Sequence, residues 1–217
     1  MSKSDSLSAS AVAAFRAGDP VLVHDAADRE GEVDLIYPAT AVAPADVRRM
    51  RRDGGGLICA ALGSEVCDAF ELPFLADEID HPAADGTELG YDERASFSLP
   101  VNHRETYTGI TDADRAHTIT ELGRAAAAPA ETDFAAEFRA PGHVHLLREA
   151  EGGLAERLGH TEFAVELARA AGRAPAAVVC EMLDPEGDGA RTPASAKAYA
   201  EREGLVYAEG AALLDEL

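Results

Sequence analysis

The sequence predicts a mixed β-sheet covered by helices, folded as one domain over residues 1–217. Short apolar runs rich in Val, Ile and Leu alternate with amphipathic segments along the chain. The first two runs are separated only by a charged turn, a hairpin-like pair that breaks a purely parallel βαβ alternation. The chain has 217 residues, 47% of them apolar, enough to bury on the order of 70% of the surface of the unfolded chain.

Each element has a local reason. Residues 8–17 form a short helix, capped by Ser and stopped by Gly18. Residues 21–23 and Val33–Pro38 are strands around the charged turn. Residues 44–52 are helical, and Gly54, Gly55 and Gly56 end that helix. Residues 57–62 make a short buried strand, and Ser64 caps a helix reaching about Phe70. Residues 73–94 carry Asp77, Glu78, Asp80, Asp85, Glu88, Asp92 and Glu93 and read as an irregular loop; a loop that long in a compact domain is usually functional or mobile.

Residues 96–101 are a strand, Thr111 caps a helix through about Arg124, and residues 125–138 are weakly patterned. Residues 144–148 form a strand. Residues 161–171 are the strongest amphipathic helix, built on Phe163, Val165, Leu167 and Ala168 and closed by Gly172. Residues 176–183 are a buried strand. Pro193–Glu203 is a helix with proline in its first turn, followed by a strand at 205–207 and a C-terminal helix. No internal repeat is present.

Composition limits the function. Forty acidic and 19 basic side chains leave a net charge of −21. Nucleic-acid binders need a cationic face for the phosphates, and here only Lys3 and Lys197 are lysines. An acidic, Lys-poor, Ala-rich surface points to an intracellular protein of a high-salt organism, where screening suppresses self-repulsion; an ordinary acidic protein is the plainer alternative. No run approaches the roughly 20 apolar residues of a membrane span. The first twenty residues lack the apolar core of a secretory signal, so the cytoplasm is the expected location. Cys59, Cys67 and Cys180 form no C-x-x-C pair and no disulfide framework; all three read as reduced, and Cys59 and Cys180, in apolar runs, as buried.

Five segments could carry chemistry. Asp25, Asp28, Glu30, Glu32 and Asp34 crowd around Arg29, and hard divalent cations neutralise such clusters. In an extended segment Glu30, Glu32 and Asp34 share one face. A solvated acidic turn is the plain alternative. Arg157-Leu158-Gly159-His160-Thr161-Glu162 opens the strongest helix, and helix N-termini bind phosphate; a simple cap with a surface histidine is the alternative. His143 and His145 alternate onto one face of a strand, where two partly buried histidines need no further role. Glu181 follows Cys180 in an apolar run, and a carboxylate buried there is a candidate general base or acid. Thr106 to Thr111 is a hydroxyl-rich turn that binds phosphate or caps the next helix.

Taken together, these segments resemble a known family. Asp28 through Ile36, Gly56-Leu57-Ile58-Cys59, Thr108-Gly109-Ile110 with Asp114-Arg115, Pro141-Gly142-His143-Val144, Glu151-Gly152-Gly153, Arg157 through Glu162 and Val179-Cys180-Glu181-Met182 occur in this order. They resemble 3,4-dihydroxy-2-butanone 4-phosphate synthase of riboflavin biosynthesis over residues 12–205, nearly the whole chain. Gly31 stands where many members have Asn, and Val33 where they have Gly or Ala, which bears on backbone shape between the acidic side chains. The 77–93 stretch is longer and more acidic than the family pattern. No C-terminal zinc-binding Cys set follows, so a monofunctional form is expected.

The resemblance implies an α+β fold, three α/β/α layers around a mixed twisted sheet, and a homodimer with active sites near the interface. It implies conversion of D-ribulose 5-phosphate to L-3,4-dihydroxybutan-2-one 4-phosphate and formate with Mg²⁺ or Mn²⁺. By position, Glu30 and His160 match metal ligands, and His143 and Glu181 match catalytic residues. Arg29, Glu30, Asp34, Thr108, Arg157, Gly159, His160, Thr161 and Glu181 match substrate contacts, and Glu32 and Cys59 line the site. The partner is a small phosphosugar, with no nucleic acid and no membrane. Two other readings use the same residues: another metal-assisted phosphosugar isomerase or aldolase, and a non-catalytic nucleotide- or RNA-binding module, which the charge opposes.

Overall fold

The computed structural model describes residues 3–25, 31–84 and 94–214. In chain order the elements are α1 (Lys3–Ala17), β1 (Val21–His24), β2 (Val33–Pro38), α2 (Pro44–Arg49), β3 (Cys59–Leu62), α3 (Ser64–Ala69) and α4 (Leu75–Glu78). Then follow β4 (Phe97–His103), α5 (Asp112–Ala127), α6 (Phe134–Glu137), β5 (Phe138–Arg148), α7 (His160–Ala170), β6 (Ala176–Glu181), α8 (Pro193–Glu203), β7 (Val206–Glu209) and α9 (Gly210–Leu213).

The strands form a seven-stranded sheet in the order β4-β5-β3-β6-β2-β1-β7. It is mixed: β3 with β5 and β1 with β7 are parallel, and the other neighbours are antiparallel. The fold is therefore α+β around a mixed sheet, as the family resemblance implies. Alternation along β6 explains its continuous apolar run. Val178 and Cys180 join one core with Val47 of α2, Ile119 and Leu122 of α5, and Tyr199 of α8. Ala177 and Val179 join a second core with Phe15 of α1, and Phe163 and Leu167 of α7. A strand with helices on both faces has no solvated side, so both parities are apolar. Glu181 has the parity of Val179 and so stands on the α1/α7 face.

Several expected boundaries shift. Helix α1 begins at Lys3 rather than at residue 8, and Ser8 is no cap: its hydroxyl donates to the carbonyl of Ala212 at 2.8 Å, tying α1 to α9. Ser64 is no cap either. Gly63 holds that place, and the Ser64 N–H donates to Glu149 at 2.9 Å. Helix α2 passes into a π-helical turn, Met50–Gly54. Residues 125–138, weak in pattern, end α5 and hold α6, which Asp133 caps by accepting from the Ala136 N–H at 3.1 Å. Strand β5 starts at Phe138, ahead of the expected residue 144. The acidic 73–94 stretch is not wholly irregular, since α4 and a 3₁₀ turn, Pro82–Ala84, lie within it; its remainder from 85 to 93 lies outside the described residues. Among the described residues no helix is long and apolar enough to cross a membrane.

Candidate active site

Strands β2 and β6 are neighbours, and their register sets Asp34 directly opposite Glu181. Paired residues share a face, so both carboxylates point toward α7. Asp34 is buried, at 2% exposure, and its Oδ2 lies 3.7 Å from Nδ1 of His160, the first residue of α7. Glu181 differs from the expectation of a buried strand carboxylate. It ends β6 half-buried, and its Oε2 accepts a hydrogen bond from the Leu57 N–H at 2.7 Å. Strand ends open to solvent, and an acid at such an end keeps water access while its backbone stays in the ladder.

Gly56 makes this arrangement possible. A Cβ there would lie 2.7 Å from the Glu181 carbonyl oxygen, 2.8 Å from its Cβ and 2.3 Å from its Oε2. The absence of a side chain lets the 54–56 turn close against Glu181.

The start of α7 supplies the opposite electrostatics. Gly159 is the N-cap and brings no side-chain cap, so the cavity wall formed by His160 and Thr161 lies at the positive end of the helix dipole. Arg157 stands just ahead, and its Nη1 donates to Oε2 of Glu162 at 2.9 Å. Glu162 is fully buried, and its Oε1 accepts from the Ala150 N–H at 3.1 Å. Burial pushes the Glu162 carboxyl above the ordinary glutamate range, against the pull of Arg157 and the Ala150 amide. Sequence reasoning gave Glu162 no role. Its signal was the five-residue spacing from Arg157, which on a loop-to-helix entry lets the two side chains meet.

These groups open onto one cavity of about 370 Å³, within the usual size of a small-ligand site. Glu32, Asp34, Arg157, His160, Thr161 and Glu181 supply its polar wall. Phe97, Leu147 and Val179 supply an apolar floor. Cys59 is buried next to Val179 in the β3–β6 ladder rather than on that wall. Burial, with the negative charges of Glu181 and Asp34 behind it, pushes its thiol well above the normal range, so it stays protonated. Arg29 and Glu30 lie outside the described residues.

His143 and Thr108 belong to a second cluster. His143 is on β5, and β3 separates that strand from β6, a spacing of roughly 10 Å for two steps across a sheet. The Asn102 side chain organises this cluster. Its Oδ1 accepts from the His143 N–H at 2.8 Å, and its Nδ2 reaches His143 Nδ1 at 3.1 Å and the Thr108 carbonyl at 3.4 Å. Asp114 accepts from the Gly109 N–H at 2.9 Å and from the Thr108 hydroxyl at 3.3 Å. That amide, first, and the Thr111 and Thr108 hydroxyls hold the Asp114 carboxyl below the usual aspartate range. Gly109 has φ +87°, and a Cβ there would lie 2.1 Å from Asn102 Nδ2, so the turn needs glycine on both counts. In one copy of the chain, then, Asp34, His160, Thr161, Arg157 and Glu181 meet, while His143 and Thr108 stand apart.

Residues 9–216 match the family model of 3,4-dihydroxy-2-butanone 4-phosphate synthase. The chain belongs to that family. The synthase named for Archaeoglobus fulgidus is 45% identical over 214 residues, covering 93% of this chain and 90% of that one. The synthase of Methanosarcina mazei is 44% identical over 218 residues, covering 94% of this chain and 88% of that one. A crystal structure of a 3,4-dihydroxy-2-butanone 4-phosphate synthase in complex with two magnesium ions superposes with a TM-score of 0.78 at 33% identity, covering 94% of this chain and 93% of that one. The donor set of this synthase-family cavity fits such an ion. Carboxylate oxygens of Glu32, Asp34 and Glu181 beside one imidazole, with Arg157 engaged by Glu162, leave excess negative charge and hard ligands.

Proposed function

We propose that this chain converts D-ribulose 5-phosphate to L-3,4-dihydroxybutan-2-one 4-phosphate and formate in riboflavin biosynthesis. It does so as one domain over residues 1–217, a carbon–carbon lyase acting as a homodimer in the cytoplasm. The observation that carries this reading is the convergence of Asp34, Glu181 and His160, from three separate elements, on one cavity at the open N-terminus of α7. The family membership narrows the chemistry. Three buried free cysteines agree with a reducing compartment.

The reaction balances without an added reactant, since the five-carbon phosphate divides into a four-carbon phosphate and formic acid. It requires removal of the C3 proton, loss of the C1 hydroxyl, a skeletal shift and expulsion of C4. Arg157 and the amides at Gly159, His160 and Thr161 hold the C5 phosphate, so the reacting carbons keep one position. Glu181, Asp34 and Glu32 are carboxylates within that reach and accept or return protons. The Leu57 N–H fixes Glu181 while it does so. Glu30 and His160 would hold the divalent ion, a hard cation that suits the carboxylates of this cavity. When bound, magnesium or manganese supplies Lewis-acid polarisation of the ketone.

His143 reaches this chemistry from the second subunit. It lies beside the edge strand β4, and in the connection that follows β4 Tyr107 is 93% and Ile110 50% exposed. An apolar pair that open next to a sheet edge favours burial against another copy, and twofold symmetry then carries the His143–Thr108 cluster of each subunit toward the cavity of the other.

Purified protein incubated with ribulose 5-phosphate and Mg²⁺ is expected to release formate, read by proton NMR, in equal amount to a four-carbon phosphate. EDTA should silence it and Mg²⁺ restore it. Conversion to a pentose isomer without formate would replace this reading with an isomerase.

A further inference from the structure

At the end of β4, away from the cavity, a cluster of imidazoles and carboxylates takes no part in the reaction described. His103 ends β4, Glu105 lies in the following turn, and His117 is on α5. None of them lines the Asp34–Glu181 cavity; His103, Glu105 and His117 share a separate one of about 290 Å³ with Glu121 and Glu137. The two imidazole rings are 4.6 Å apart between centroids at 78°. One potential ligand atom from each of His103, Glu105 and His117 lies within 4.8 Å of the other two. His103, Glu121 and Glu137 form a second such trio on the same histidine.

We propose that this corner binds a first-row divalent transition ion through His103, His117 and Glu105.

His103 is preset for the role. It is 7% exposed, and Phe138 meets its ring edge-on at 5.3 Å. Its Nδ1 accepts from the Glu105 N–H at 3.3 Å, and its Nε2 has no hydrogen-bond partner among the described residues. Ligation at Nε2 moves the ring proton to Nδ1, so the long contact from the Glu105 N–H has to open as the ion binds. Glu105 Oε2 already sits 3.5 Å from His117 Nε2. The two other carboxylates are taken up by Arg124, through Nε to Glu121 at 2.6 Å and through Nη2 to Glu137. Arg104, also at the rim, gives its Nε to the carbonyl of Ala135 at 2.9 Å. Glu105 and the two imidazoles therefore remain for a cation.

Ligand chemistry selects the ion. Two imidazoles and one carboxylate suit zinc, cobalt or nickel, whereas magnesium prefers oxygen ligands and retained water. Three protein ligands leave one tetrahedral position for water. The ion would join the end of β4, its turn and α5 into one unit. The 104–111 connection carries Thr108, so that segment would become more protected.

The test titrates Zn²⁺ alone into the full-length protein in excess Mg²⁺, by calorimetry, with Co²⁺ absorption as a second reading. His117→Ala removes a partly exposed ligand and should keep the fold. Its zinc affinity is expected to fall at least tenfold, the smallest loss typical even of groups behind the ligands, and Glu105→Gln should weaken it in the same sense. His160→Ala, altered only in the other cavity, should keep this zinc. Zinc should raise Tm in His160→Ala, where the other cavity's imidazole is gone, and leave the His160→Ala/His117→Ala double variant unmoved. Equal zinc affinity in His117→Ala and wild type, zinc binding abolished by His160→Ala, or no saturable zinc binding would each overturn the proposal, and none of them bears on formate release.

Discussion

Replacing Arg157 with methionine keeps the aliphatic stem but removes the guanidinium that faces Glu162. Glu162 is fully buried, and its partners are Arg157 Nη1 at 2.9 Å and the Ala150 N–H at 3.1 Å. Deleting one member of a buried pair costs about 3–5 kcal/mol, because the remaining charge is uncompensated. At about 2–4 °C per kcal/mol for a chain of this size, Tm should fall by roughly 6–20 °C at pH 8. The loss depends on pH in a definite direction. Burial already raises the Glu162 carboxyl above its ordinary value, with Arg157 opposing, and without Arg157 it rises further. An acid raised in the folded state contributes stability below its unfolded pKa and loses it as pH climbs through the folded one. The deficit of Arg157→Met is therefore full at pH 8, shrinks as Glu162 takes up its proton, and disappears near the ordinary carboxylate range at about 4.3. Thermal unfolding of both proteins from pH 8 downward measures it. Adding Glu162→Leu to the variant should recover most of the lost stability. A deficit that is absent, or that stays constant with pH, would refute the reasoning.

Other outcomes follow from the same geometry. Gly56→Ala drives a Cβ into Glu181 at 2.3–2.8 Å; displacing that carboxylate by about 1 Å should lower formate release roughly 100-fold, with a modest fall in Tm, and unchanged turnover would contradict the role of the turn. Glu181→Gln and His143→Ala should each abolish formate release in folded protein. Refolded together in equal amounts they should recover about a quarter of wild-type activity, since half the dimers then hold one intact site of two; no recovery would mean that both residues serve the same subunit's site. With a net charge of −21, stability should rise from low to molar KCl as self-repulsion is screened, and a flat series in chemical denaturation would remove the high-salt reading.

Much of this fold was legible because its signals are local. The amphipathic period of α7, the proline opening α8 and the Thr111 cap, whose hydroxyl accepts from the Asp114 N–H at 3.0 Å, need only a few neighbouring residues to be read. Ser8 and Ser64 misled for a physical reason: α1 begins at Lys3, so Ser8 lies inside it and its hydroxyl donates to Ala212, while Gly63 takes the N-cap of α3 and a distant carboxylate, Glu149, accepts the Ser64 N–H. Glu162 showed the same limit in reverse, since its burial depends on how residues 150–157 fold over α7.

By itself the sequence determined which segments become strands and helices, which residue types could bind a phosphate or a divalent ion, and the family to which the ordered motifs belong. Only the tertiary structure decided that Asp34 faces Glu181 across the β2–β6 ladder, that His160 closes over them, and that β3 separates β5 and His143 from β6. Helical period and turn chemistry act over a few residues. Strand order and register instead arise from burying both faces of one sheet at once, so they are properties of the whole chain.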